Sequence, residues 1–444
     1  MLCLGGLAVG NCYPAHGQGY DTWSKVESAE ETRTYSQDLG AGTFDAAQQG
    51  VLERIILPQL EKPANRSTIA QVRQRMREII TRGTTNPKLF DAVNAVVVGA
   101  MIPKLVSDDN QDIVVRVNAT LLVGELVAAD RKAWPGSIEP LAKAAGDAKL
   151  PLAVRIAAMV GLVRHVHDGR GSDPAFAPAV GPVVTAIVTA PPEGDPRAVA
   201  WLIGRCLDIV PAVGASPDVL KATVSILADE KSDADLRVRA AIALGRLVKP
   251  GSAPDLSATP SQIRGLAVSA LAKDLGEAEA RRFAKQLSGM LDETAAGPRL
   301  DMTPPQATPA ADPAGGGFFG GGIFGGDPAA GGGGDVSAPL PLLDPDAVPA
   351  TACLRNAWRL VALADAIQPE ESKGTGIAST LSGDAAAEAL ELATVLRTQG
   401  LAIETAPDEQ SVKAALASLD DLAKRTATAE PAQPSAGGGA RARA

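Results

Sequence analysis

Aromatic residues make up only 3% of this 444-residue chain, and histidine occurs three times. With so few large rings, alanine, leucine and valine must fill the interior, which favours close-packed helices of small side chains over sheet. One of the histidines, His16, lies in the first residues. The remaining two, His165 and His167, stand with Asp168 and Asp173 as the only cluster that could hold a metal. Two residues apart on a continuous helix they point to different faces, so both converge only if the helix ends between them, where Gly169 makes a break conceivable. A solvated helix end is the simpler reading of that cluster.

Other absences narrow the chemistry further. There is no Cys-x-x-Cys, no His-Glu-x-x-His, no Gly-x-Ser-x-Gly and no phosphate loop ending in Gly-Lys-Ser/Thr. The spacing Gly315-x-Gly317-x-x-Gly320 lies in a glycine tract with no preceding strand, so it marks no dinucleotide site. No catalytic residue and no cofactor is assigned. Lys and Arg (42) are outnumbered by Asp and Glu (51), a net charge of −9 that repels a phosphate backbone. Beyond the N-terminus no stretch reaches the roughly 18 uninterrupted apolar residues that would span a bilayer.

The apolar run Leu2 to Val9, followed by Asn11, Pro14 and the small residues of Ala15-His16-Gly17, resembles an export signal over residues 1–17, although no Lys or Arg precedes it. It predicts an exported, periplasmic or envelope-associated protein; a merely apolar N-terminus on a cytoplasmic protein is the alternative. Cleavage there leaves Cys206 and Cys353, read as buried free thiols because a large protein needs no staple.

Along the rest of the chain, composition divides the sequence into stretches of different character. Residues 18–45 are polar without a sustained period and read as an extended arm. From 46 to 296 helical segments follow one another, separated by breakers such as Thr84 to Pro87, Ser107 to Asn110 and Pro211 to Pro217. Short loops make neighbouring helices antiparallel. Residues 297–350 are a flexible Gly/Pro/Ala-rich linker, 351–425 hold three further helices, and 426–444 form a disordered tail. In the first of the late helices Leu354, Trp358, Val361 and Ala364 form one apolar face. Those helices either dock back on the array or form a small separate bundle.

Within 46–296 a pattern recurs. Arg116, Arg155, Arg197 and Arg237 each have alanine three residues later, at Ala119, Ala158, Ala200 and Ala240, and successive arginines stand about 40 residues apart. Acids precede three of them, at Asp112, Asp195 and Asp235, and small residues follow at Gly124 and Gly245. This pattern resembles the HEAT family of armadillo-type α-solenoids, whose period is about 40 to 47 residues. The resemblance implies an all-α fold of stacked antiparallel helix pairs, with the aspartate at a helix entrance, the arginine supporting neighbouring repeats, and the alanine and glycine allowing close approach. Regular recurrence favours a structural role for these arginines over a catalytic one.

Two further groups are candidates for partner binding. On the helix expected from about Ser67 to Arg82, Ile69, Val72, Met76 and Ile79 line one face while Arg66, Arg73 and Arg77 line another. With Arg75 and Arg82 the same arginines would serve a nucleic-acid surface, which the acidic balance disfavours. Phe318, Phe319 and Phe324 stand in the glycine tract, where no core needs them, and aromatics in such a tether can dock into a groove. The expected function is a non-enzymatic, protein-binding scaffold of the cell envelope. The alternative is a HEAT-like enzyme with a metal or small-molecule site near His165 and His167.

Overall fold

The computed structural model describes residues 25–26, 29–248, 255–295, 348–370 and 375–428. Among them the fold is all-α, and a single isolated antiparallel bridge, Val127 to Ala133, closes one loop. The first helices are α1 (Glu30–Gly40), α2 (Ala46–Val51), α3 (Ile69–Ile80), α4 (Pro87–Met101) and α5 (Ile113–Glu125). The middle of the chain supplies α6 (Ile138–Gly146), α7 (Leu152–His167), α8 (Phe176–Thr189), α9 (Pro196–Val213), α10 (Pro217–Ala228) and α11 (Ala234–Leu247). The last four are α12 (Thr259–Ala295), α13 (Ala350–Ile367), α14 (Gly383–Thr405) and α15 (Glu409–Thr428).

Helix starts follow from local chemistry. At Asn86-Pro87, Asp195-Pro196 and Ser216-Pro217 a short polar side chain accepts from the backbone N–H groups of the first turn, and proline takes the first helical position, where its missing N–H costs nothing. Asp112 and Asp233 cap α5 and α11 in the same way. Asp235, expected at a helix entrance, lies instead inside the first turn of α11, where it pairs with Arg359 of α13 at 2.8 Å.

The helices pack in two sets. In the first, α3, α5, α7, α9, α11 and α13 each lie against the next member. In the second, α6, α8, α10 and α12 do the same, and short loops join the sets as α6–α7, α8–α9 and α10–α11 hairpins. A continuous apolar core runs through both sets, from Tyr35 at one end to Leu422 at the other. Small residues let the first set close up: a Cβ on Gly124 would stand 2.7 Å from the Cα of Gly161, so α5 and α7 touch backbone to backbone.

After α12 the row continues with α13, which takes the next place against α11 and pairs with α14. A polar network fixes it: Arg359 bridges Asp235 and Asn356, and Asn356 donates to the buried Asp274 of α12 at 2.9 Å. Farther along, Arg264 reaches Glu388 and Arg282 reaches Glu409, tying α12 to α14 and α15. The late helices therefore dock on the array rather than standing apart.

Two expectations are revised, and the apolar face of α13 is placed. Residues 18–45 contain α1, because Tyr35 and Leu39 are buried and the Tyr35 hydroxyl donates to the Ile80 carbonyl at 2.8 Å. Helix α15 extends to Thr428, past the expected boundary at 425. In α13 the buried side is Cys353, Ala357, Leu360, Leu363, Ala364 and Ile367, while Leu354 and Trp358 are each 45% exposed. The run Pro87–Val106 is long and apolar enough to cross a membrane by length and composition, but Phe90, Val93, Val97, Met101 and Leu105 are buried in the core. Of the region read as a linker, 297–347 lies outside the described residues, as do Phe318, Phe319, Phe324 and the segment 1–24.

Candidate functional site

The recurring arginines occupy one structural position, with one exception. Arg116, Arg155 and Arg237 are the fourth residues of α5, α7 and α11, and all three are buried. Each donates from Nε to a carbonyl ten residues earlier: Val106 at 3.0 Å, Ala145 at 2.9 Å and Leu227 at 2.9 Å. Those carbonyls end the preceding helix, where intrahelical donors have run out, so each guanidinium satisfies an orphan acceptor across the hairpin. Arg197 departs from this set. It is the second residue of α9 and exposed, and its partner Ala200 is only partly buried, whereas Ala119, Ala158 and Ala240 are fully buried.

The histidine cluster is drawn into the fold as well. His165 is fully buried; Nδ1 lies 2.8 Å from the Gly161 carbonyl, and Nε2 lies 3.1 Å from the Trp134 carbonyl and 3.2 Å from the Ser137 hydroxyl. Its ring stacks on Phe176 of α8. Burial lowers its pKa below the ordinary value of 6.5, against the raising effect of those carbonyls. Asp168 accepts from the Ala133 amide, and Arg170 bonds the Ala133 carbonyl and Asp130. Together they strap the α5–α6 loop onto α7, while His167 is exposed. Among the described residues no group of three or more His, Cys, Asp or Glu is placed to hold a metal. Cys206 and Cys353 are buried free thiols, and desolvation pushes the pKa of each up.

The α3 stripe is largely engaged in holding α3 to α5. Arg66 pairs with Asp112 at 3.1 Å, and Arg73 reaches Glu125 at 3.3 Å and Asn118 at 2.6 Å. Arg75 pairs with Glu78 on its own helix. Arg77 lines an open groove of about 420 Å³ with Gln71, Arg73, Gln74 and Glu125.

A different surface stands out on the open side of the first helix set. Trp201 of α9 is 46% exposed, and the Arg205 guanidinium lies over its ring at 4.8 Å. Arg205 and Arg239 of α11 both bind the single carboxylate of Asp208, at 3.2 Å and 2.5 Å. The Arg239 stem is laid across Gly204, where a Cβ would stand 2.9 Å from its Cδ. Asp235, Arg239 and Ile242 are spaced to share one face of α11, and the Asp235–Arg359 pair carries that face to α13, beside the exposed Trp358 and Leu354. The sequence pattern left Trp201 unmarked and placed Trp358 on an apolar face, which the fold leaves half exposed at Trp358. An apolar residue at helical spacing signals a face without saying whether a neighbour covers it.

No protein-family model, curated protein or solved structure matches this chain.

Proposed function

We propose that the chain is a HEAT-type α-solenoid serving as a non-enzymatic scaffold of the cell envelope, binding another protein on the open face of the α5–α13 row. One observation carries the reading: half-exposed tryptophans, Trp201 and Trp358, stand on α9 and α13 of one packed row with Ile242 between them. Exposed tryptophan beside arginine is the composition of an interface hot spot. The repeated arginine contacts support the repeat reading, since Arg116, Arg155 and Arg237 make the same bond in three of the four settings where the arginine recurs. The envelope assignment draws on the N-terminal sequence alone.

The test is affinity capture of the tagged full chain from native envelope extract, alongside a Trp201→Ala/Trp358→Ala variant of unchanged melting temperature. A stoichiometric protein lost in the variant is the expected result. Recovery of no partner after mild crosslinking, or of one that the variant retains, removes this face from the function. A parallel variant lacking residues 315–326 reads the contribution of the phenylalanine tract.

A further inference from the structure

Charge on this face runs against the charge of the molecule. The chain is acidic overall, yet between α9 and α11 two guanidiniums share one carboxylate, which leaves a local surplus of positive charge. The cluster is partly withdrawn from water: Arg205, Asp208 and Arg239 have side-chain exposures of 24%, 20% and 24%. The Arg205 Nε is buried without a hydrogen-bond acceptor. Desolvation, then the neighbouring Arg239, lowers the pKa of Arg205, opposed by Asp208. An extra carboxylate at the rim of this cluster would therefore meet two cations that Asp208 only half neutralises.

The surrounding charges point the same way. Among the described residues the acids on this face are engaged, Asp235 with Arg359 and Asp365 with Arg397. Arg246 on α11 and Arg197 on α9 are exposed and have no ion pair among the described residues. Arg355 on α13 is half exposed, with Asp274 at 3.6 Å. Apolar surface is interleaved with these cations at Trp201, Leu354 and Trp358.

Resting on the scaffold reading, we propose that this face recognises a peptide segment of the partner protein that carries an apolar anchor next to carboxylates. The anchor packs on Trp201 or Trp358, and the carboxylates face Arg205 and Arg239. A nucleic acid fits less well: it would gain from the arginines, but the chain's overall charge opposes a polyanion and the apolar side chains would gain little from phosphates. A peptide meets both parts of the surface.

The experiment selects a random short-peptide display library on the full chain, then measures the enriched peptide by fluorescence anisotropy at low and raised salt. Enrichment of Asp or Glu beside Phe, Leu or Trp is expected, with affinity falling about tenfold or more when the peptide's acids become amides or when Arg239→Gln or Trp201→Ala is introduced. Arg246→Gln, at an exposed position, is the second variant should either of those fail to fold; it weakens binding at low salt and much less at raised salt. Several outcomes overturn the proposal: no enrichment, enrichment without acids, indifference to all three variants, or tighter binding of single-stranded DNA than of peptide. Binding that arises only when residues 315–326 are deleted would give the face to the chain's own phenylalanine tract and also overturn it. A partner captured through Trp201 without dependence on carboxylates would remove this inference and leave the scaffold reading standing.

Discussion

Replacing Gly245 by alanine would put a methyl carbon onto the carbonyl oxygen of Ala366 and within 2.7 Å of its Cα, both backbone atoms of α13. Backbone cannot rotate away as a side-chain tip can. Ordinary contact begins near 3.4 Å, so clearing the Cα alone makes α13 retreat from α11 by roughly 0.7 Å, and clearing the nearer carbonyl oxygen takes at least as much. A gap of that size forfeits about a quarter to a half of the dispersion energy across the contact. Forced overpacking costs about 1–3 kcal/mol, and alanine returns about 1 kcal/mol of helix propensity. Three backbone atoms of Ala366 are overlapped at once, which puts the cost in the upper half of that range, so the expected net loss is about 1–2 kcal/mol. Gly99 of α4 is the control, because nothing lies within 4 Å of a Cβ built there. The same substitution at Gly99 should stabilise by about 0.5–1 kcal/mol. Urea unfolding followed by circular dichroism measures both, and limited proteolysis shows whether α13 to α15 loosen first in Gly245→Ala. A Gly245→Ala protein as stable as its parent, or a Gly99→Ala protein destabilised equally, would refute the docking of α13 on α11.

Further outcomes follow from the buried polar groups. Arg237→Met and Arg155→Met each abandon a helix-end carbonyl and should cost about 1.5–3 kcal/mol, while Arg197→Ala should stay within about 0.5 kcal/mol; equal effects in urea titrations would dissolve the distinction. His165 has a lowered folded-state pKa, so between that value and 6.5 the unfolded chain binds more protons, and stability is lost as pH falls through this window. His165→Gln should flatten that part of the stability–pH curve even if it lowers the plateau, and an unchanged slope would exclude His165 as its source. Alkylation mapped by mass spectrometry should leave Cys206 and Cys353 unlabelled in the native protein and label both in denaturant; native labelling of Cys206 would contradict its burial.

Much of the helical framework was legible because it is written locally. Caps such as Asn86-Pro87 and Asp195-Pro196, and the spacing of Ile69, Val72, Met76 and Ile79, act within a few residues. What escaped reading depends on contacts between distant residues. Helix α1 is held by a hydroxyl bond from Tyr35 to Ile80, and polar residues around Tyr35 conceal it locally. Arg197 shares the arginine–alanine spacing yet stands two positions too early in its helix, because the repeat is set by distance from the helix start. Trp358 was legible as part of an apolar stripe but not as half exposed, since the neighbouring residues Ala357 and Leu360 lie against Gly400 of α14 and Ala366 lies against Gly245 of α11.

The position of α13 shows how the candidate face tolerates an interruption in the sequence. About fifty residues separate Ala295 from Ala350. In an array where each helix touches mainly its neighbours, such an insertion adds loop-closure entropy that grows only with the logarithm of length, about 2 kcal/mol against a short turn. Leu360, Leu363 and Ile367 are each buried to 1% exposure or less, and burying side chains of this kind contributes about 1.5–3 kcal/mol apiece. Burial therefore outweighs the cost of so long a separation in sequence. Docking also ties α13, with its exposed Leu354 and Trp358, to Asp235 of α11 through Arg359, so one face draws on segments far apart in sequence. A substitution that loosens α13, such as Gly245→Ala, should accordingly weaken peptide binding on that face although Gly245 itself lies buried beneath it.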